Sequence, residues 1–354
     1  MRRLILAILV LCLIILPVLG CAEQIGSPAN TSAITLKKEM VTIIDEAERH
    51  VDVPYQPERI VCLVPSVAEV ICAFGESDKI VARSYECNFP PLLEDKTNVG
   101  SARKPNIELL LKQEPDVVIA RTGTLFKQEL REKLEAAHIP VIQFRSLELD
   151  TVLAMIEQME LMLGKKDEAR ELAGFVENYT NLVEERVGGL RPEEKPLVLF
   201  QSMGHIYWSN NSETAGHRRI IFSGGTNIAA EEPVKIPHLS AEWVLEKNPD
   251  ITVYSYLKAK ESTEVPLLDD MIAIRDALLA KTGFKEIKAV KEGKVYIIDS
   301  RLITGPRSII GLLYYAKWFH PDLFQDIDPE AIHKEMLQRF FRLELKGVWG
   351  YPDI

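Results

Sequence analysis

The chain has 354 residues, 47% hydrophobic and 27% charged, with a formal net charge of -10. That is enough chain for sizeable apolar cores in more than one domain, while the acidic balance and the lack of any Arg/Lys cluster interleaved with aromatics exclude a nucleic-acid partner. Beyond Cys21 only Cys62, Cys72 and Cys87 remain, with no CxxC, so there is no disulfide framework.

Met1-Arg2-Arg3 and the apolar run that follows, LILAILVLCLIILPVLG, read as a signal peptide over residues 1–20. Cys21 is then the lipidation site that holds the protein at the outer face of a membrane. An uncleaved anchor ending near Gly20 is the alternative, since Val18 and Leu19 depart from the usual lipoprotein signal. Either way the body lies outside the cytoplasm. Residues 21–40 are small, polar and Pro/Gly-bearing, as a tether would be.

Residues 41–150 read as an N-terminal lobe. A hairpin over Met40 to Val53 comes first. The strand Arg59 to Val64 is apolar on both faces, as in a sheet covered on both sides, and a helix closed by Gly75 follows. Further strands are expected at Ile80, at Pro115 to Ala120 and at Pro140 to Phe144, with helices from Pro105 and over Leu125 to Ala137. Residues 151–190 form a helical linker. Its strut is Lys165 to Val187, where Ala169, Leu172, Ala173, Val176, Tyr179, Leu182, Val183 and Val187 make one apolar stripe. Such a helix runs roughly 35 Å. The alternative is a long helix packed within one continuous domain. Residues 191–343 repeat the βα text as a C-terminal lobe, with strands at Pro196 to Phe200, Ile251 to Tyr254 and Gly293 to Ile298. Residues 344–354 read as a tail over the surface. The fold class is therefore α/β: two Rossmann-like βα lobes joined by one long helix, with a ligand cleft between them. A single connecting helix also predicts only a small closure on binding.

No GxGxxG, P-loop, GxSxG or HExxH motif is present, and the histidines lack metal-ligand spacing. The chain reads as a binding protein with no catalytic residues, metal site or intrinsic cofactor. Ligand contacts are expected from loops at the carboxyl ends of strands. These supply Arg83 and Tyr85, Arg121, and Tyr256; a candidate hairpin adds His205, Tyr207 and Trp208. Arg307, in TGPRS, either faces the cleft or caps its own lobe. Rings beside guanidinium groups suit a bulky ligand with flat surfaces and anionic groups.

The series RIVCLVPSVAEVICAFG, VGSARKPNIELLLKQEPDVVIA, SGGTNIA, HLSAEWVLEKNPDITV and IKAVKEGKVYIID resembles, in order, the substrate-binding lipoproteins of ABC importers for iron chelates, haem and cobalamin. The resemblance implies a receptor, monomeric when free, that passes its cargo to a permease dimer with a cytoplasmic ATPase. It also implies that one Glu on each lobe docks into the permease; the matching positions are Glu108 and Glu242. Within that class the count of arginines favours a ferric chelate of the siderophore type, with a corrinoid or haem as alternatives. A metallocofactor-handling enzyme on a similar two-lobed frame is the reading from another class, for which only Cys87 and His205 are placed.

Overall fold

The computed structural model describes residues 39–123, 126–145, 149–201, 206–257, 265–281 and 283–352. The hairpin β1 (Met40–Ile44) and β2 (His50–Pro54) opens the described chain. The first lobe follows with β3 (Ile60–Cys62), α1 (Pro65–Ala73), β4 (Ile80–Arg83) and β5 (Thr97–Asn98). A two-stranded ribbon, β6 (Gly100–Ser101) and β7 (Lys104–Pro105), leads to α2 (Ile107–Leu111), β8 (Val117–Arg121), α3 (Gln128–Ala136) and β9 (Val141–Phe144). These make a parallel five-stranded sheet in the order β5-β4-β3-β8-β9.

Two helices, α4 (Leu149–Leu163) and α5 (Lys166–Val187), carry the chain across. The second lobe contains β10 (Leu197–Gln201), α6 (Ala215–Phe222), β11 (Thr226–Asn227), α7 (Ala241–Lys247) and β12 (Ile251–Tyr256). It continues through α8 (Leu268–Leu279), α9 (Lys288–Lys291), β13 (Val295–Asp299), α10 (Ser308–Phe319), α11 (Pro329–Met336) and β14 (Gly350–Tyr351). Its sheet runs β11-β10-β12-β13-β14, parallel except for the last strand.

The expected strut is α5, whose 22 residues span about 33 Å. Its buried residues, Ala169, Leu172, Phe175, Val176, Val183 and Val187, follow the helical period. Asp167 and Glu168 at its start and Arg186 at its end suit the helix dipole. Arg186 also grips Asp326 of the second lobe with two hydrogen bonds, at 2.6 and 2.8 Å.

Alternation along the strands explains how the lobes share their interior. In β3, Ile60 and Cys62 face one core, while Val61 and Leu63 face an outer one. In β13, Tyr296 and Ile298 face the same inner core as Ile60, and Val295 and Ile297 turn outward. Helices α1, α4, α5, α10 and α11 supply much of that inner core, which is continuous between the two sheets.

The C-terminal segment departs from the expected surface tail. Gly350 and Tyr351 pair antiparallel with Ile298 and Ile297, and Trp349 is only 6% exposed. Burial of the Trp349 ring and pairing along the edge of β13 hold the stretch in the sheet. The segment Ile206 to Trp208 also departs from a hairpin: Trp208 makes a single bridge with His238. Among the described residues no helix is long and apolar enough to cross a membrane.

Gly311 is the most closely packed of the described glycines. A Cβ there would collide with the Leu302 carbonyl oxygen, which belongs to the turn between β13 and α10. Gly311→Ala should therefore lower unfolding free energy by about 1–3 kcal/mol, as overpacking does. An unchanged midpoint in chemical denaturation would contradict this packing.

Candidate functional site

A cavity of about 610 Å³ opens between the two lobes, within the usual range for a small-molecule site. Its walls come from the carboxyl ends of strands, where open α/β sheets bind ligands. After β3 come Val64, Pro65, Ser66 and Glu69; after β4, Tyr85, Glu86, Asn88 and Phe89. The β6–β7 ribbon adds Ser101, Ala102 and Arg103, β8 ends in Arg121, and Arg145 follows β9. The second lobe adds Leu257 after β12, and Ser300, Arg301, Ile303, Thr304 and Arg307 after β13.

The five arginines divide by lobe. Arg301 is held by Asp299, which is fully buried, through paired bonds of 2.8 Å, and its guanidinium lies 4.7 Å from the Trp349 ring centre. Arg307 is 1% exposed and grips Glu69 of the opposite lobe with Nε at 3.1 Å and Nη2 at 2.8 Å. Its flat face lies 3.7 Å over the Phe89 ring, again across the lobe boundary. Both second-lobe cations are thus neutralised within the protein. Arg103, Arg121 and Arg145, in the first lobe, have no ion pair among the described residues. Burial, together with the like charges of Arg145 and Arg103 and against the pull of Glu86, lowers the Arg121 pKa. An arginine remains charged even so, and the Arg121 Nε is enclosed without a partner. The first-lobe wall is therefore a cluster of cations that an anionic ligand would relieve.

The loops that carry these groups are fixed from below. Arg83 donates to the Leu93 and Ser84 carbonyls at 2.6 and 3.2 Å, which shapes the loop that presents Tyr85 and Phe89. The Tyr85 backbone N–H donates to Gly100 O, and Glu86 accepts from the Ala102 N–H at 3.1 Å. Among the described residues, no group of three or more His, Cys, Asp or Glu is placed to hold a metal ion.

Two parallel sheets that face each other across a cation-lined cleft, joined by one helix, define a bilobed ligand-binding protein. The family model described as periplasmic binding protein matches residues 60–302, and the chain belongs to that family. It is an extracytoplasmic substrate-binding protein of the ABC-importer class. An uncharacterized ABC transporter substrate-binding lipoprotein of Bacillus subtilis is 26% identical over 317 residues, covering 87% of this chain and 94% of the relative. A vitamin B12-binding protein of Yersinia pseudotuberculosis is 27% identical over 233 residues, 64% of this chain and 77% of the relative. Among solved structures, the TroA-like periplasmic binding protein FepB from Veillonella parvula superposes with a TM-score of 0.74 at 24% identity, covering 88% of this chain and 99% of that one.

Of the residues expected at the ligand from sequence, Tyr85, Arg121 and Arg307 line the cleft together. Arg83 is 7% exposed and spent on loop carbonyls. Tyr207 packs edge-on against Phe284 within the second lobe, and Trp208 is exposed beside His238. The Tyr256 hydroxyl lies 3.4 Å from Asp270, away from the cleft lining. His205 and Cys21 lie outside the described residues. Cys87 is buried and free. Glu108 and Glu242 are exposed in the first turns of α2 and α7, whose N-caps Asn106 and Ser240 accept from the N–H groups of Leu109 and Trp243 at 3.0 and 3.1 Å. Phe89 lies in the loop after β4 that the sequence already placed at the ligand edge, whereas Glu69, Arg103, Arg145 and Arg301 were not expected as cleft residues. Position just after a strand end was a usable signal for Arg145 and Arg301; Glu69, inside an apolar helix, offered one only as a charge out of place.

The Glu69–Arg307 pair generates a test. Burial raises the Glu69 pKa above 4.5, and the attraction of Arg307 only partly offsets it. The folded protein thus holds that proton more tightly than the unfolded chain. The Glu69 contribution is most favourable below about pH 4.5 and is lost as pH rises through the raised folded value. Glu69→Gln should remove that decline from the stability–pH curve, while Glu69→Ala, which strands a buried guanidinium, should cost about 3–5 kcal/mol at neutral pH. Equal stability of Glu69→Ala and the parent would contradict the pairing.

Proposed function

We propose that the cleft captures an anionic, oxygen-rich ferric chelate of the siderophore type, which the protein delivers to the permease of an ABC importer. The observation that carries this reading is the cluster of Arg103, Arg121 and Arg145, which makes no ion pair among the described residues and outnumbers Glu86, the acidic residue that attracts Arg121, beside the rings of Tyr85 and Phe89. Carboxylate, catecholate or hydroxamate oxygens accept charge-assisted hydrogen bonds from guanidinium groups, and the rings cover the apolar parts of such a ligand. No chemistry is asked of the site. Affinity need only be strong enough to capture and weak enough to release.

A corrinoid is the second reading, favoured by the similarity to vitamin B12-binding proteins. It would draw on Tyr85 and Phe89 more than on the arginines. A screen by intrinsic Trp fluorescence over ferric citrate, ferric catecholates, ferric hydroxamates, haem and cobalamin separates the two. For an iron chelate, Arg121→Ala should lose about 1.5–3 kcal/mol of binding, and affinity should fall as salt rises. Tight cobalamin binding with no affinity for any ferric chelate would overturn the choice.

Membrane attachment through a lipid on Cys21 belongs to the same proposal, as does docking through Glu108 and Glu242. The exposure of both carboxylates, each at the start of a helix that leads into a parallel strand of its lobe (β8 in the first, β12 in the second), supports docking. Replacing both by Ala should leave ligand affinity close to that of the parent and cost stability only a few tenths to about 1 kcal/mol. Uptake in cells should collapse, since two separated charge pairs orient the receptor as well as attract it. Full transport by the double variant would refute the assignment.

A further inference from the structure

We propose that Cys62 and Cys87 are joined by a disulfide in the exported protein, and that this bond fastens the loop carrying Tyr85 and Phe89 to the end of β3. The bond follows from the extracytoplasmic location of the chain and the placement of two sulfurs, whatever the ligand is. Disulfides form and persist outside the cytoplasm, where thiols are not kept reduced. The described residues hold three cysteines, Cys62, Cys72 and Cys87, all in the first lobe and all within the inner core. Each is a free thiol in this structure.

Cys62 ends β3 and stands in register with Arg83 of the parallel strand β4. The Ser84 N–H donates to the Cys62 carbonyl at 3.2 Å, and the Cys87 N–H donates to the Ser84 carbonyl at 3.1 Å. The chain therefore turns back at Ser84 and lays Cys87 over the end of β3. There its Sγ lies 3.5 Å from the Cys62 carbonyl oxygen and 3.4 Å from the Ser84 hydroxyl. The two thiols are also hydrogen-bonded to each other. Both residues are 0% exposed. Neighbouring backbones and touching sulfurs leave only side-chain rotation between this thiol pair and a disulfide. Cys72, on α1, feels the other two only through charge, and burial pushes its thiol up to about 12.

The bond forms by exchange with a disulfide oxidant, of the class that exported thiol oxidoreductases carry. One cysteine thiolate attacks the oxidant's disulfide and displaces one of its sulfurs. The second cysteine attacks the mixed disulfide, which closes the Cys62–Cys87 bond and releases the oxidant as a dithiol. The pair loses two protons and two electrons, and the oxidant gains both. Burial first, and then the hydrogen bond to Cys87, raise the Cys62 thiol well above its ordinary value, so its thiolate is scarce once the lobe has closed. Exchange thus belongs to folding, before the Ser84–Cys87 turn docks, and the finished bond is shielded from reductants. Its consequence falls on the cleft. The fastened turn holds Tyr85 and Glu86 and leads into Asn88 and Phe89, while the strand end leads into Val64, Pro65 and Ser66. Phe89 is also the ring beneath Arg307. One cross-link therefore ties two adjoining walls of the first lobe.

The test is a disulfide map of the exported protein, produced without reductant in a host whose envelope contains a disulfide-forming oxidoreductase. The protein is unfolded in the presence of iodoacetamide, so that free thiols are capped before they can exchange, then digested and analysed by mass spectrometry. The peptides bearing Cys62 and Cys87 should be recovered linked, with Cys72 alkylated. Capping of all three cysteines would overturn the proposal, as would a bond from Cys72 to either of the others. Urea unfolding then measures the fastening without any substitution, by comparing the oxidised protein with the same protein after reduction. The two cysteines are 25 positions apart, and closing a loop of that length should lower the unfolding equilibrium constant about a hundredfold. Equal midpoints for the two forms would overturn the fastening role. Cys72→Ser should keep both the linked peptide and the higher oxidised midpoint, whereas Cys87→Ser should lose both. Loss of the link in Cys72→Ser would assign the bond to the wrong pair and overturn it.

Discussion

The structure depends on one buried ion pair that spans its two halves. Glu69 and Arg307 are 238 residues apart in sequence and meet in a two-point grip, with Phe89 stacked on the guanidinium and Phe341 edge-on to Phe89 at 5.2 Å. Two charges taken out of water cost several kcal/mol each unless they satisfy one another, so such a pair specifies an arrangement more than it stabilises one. What it specifies is the floor of the cleft. Wide separation of the lobes would have to break this pair.

The interior points the same way. A conventional hinged receptor would keep a core in each lobe and little between them. Here the inner faces of both sheets, from Ile60 and Ile119 on one side to Val253 and Ile298 on the other, belong to one continuous apolar core with α1, α4, α5 and α10. Exposing even a few of these side chains would cost about 1.5–3 kcal/mol each. Recognition must therefore be achieved by side chains and loops around a nearly fixed frame. The division of the arginines fits that frame: the second-lobe pair is committed to Asp299 and Glu69 and supports the architecture, leaving the first-lobe cluster to meet the ligand.

Much of this was legible in the sequence because it is local. The strut is a 3.6-period stripe without breakers, and the parallel strands are short apolar runs that can only be covered on both faces. The two exposed glutamates sit behind Asn106 and Ser240, ordinary helix-start residues. The cleft was only half legible. Arg83 and Arg121 occupy equivalent places at strand ends, yet Arg83 turns inward, where the loop carbonyls of Leu93 and Ser84 accept from its guanidinium. Tyr256 is one residue short of Leu257, and that step reverses the face on which it projects. The C-terminal segment misled most: Trp349 backs Arg301 in the cleft wall only because the chain returns to the edge of β13, a contact no local pattern announces.

The most direct measurement is a crystal structure of the protein with a bound ferric chelate. The chelate should lie between the lobes, its oxygens within hydrogen-bond distance of Arg121 and Arg145, with the Glu69–Arg307 grip unbroken and the lobes nearly unmoved. A chelate seated elsewhere, or a cleft that opens by breaking that grip, would contradict it.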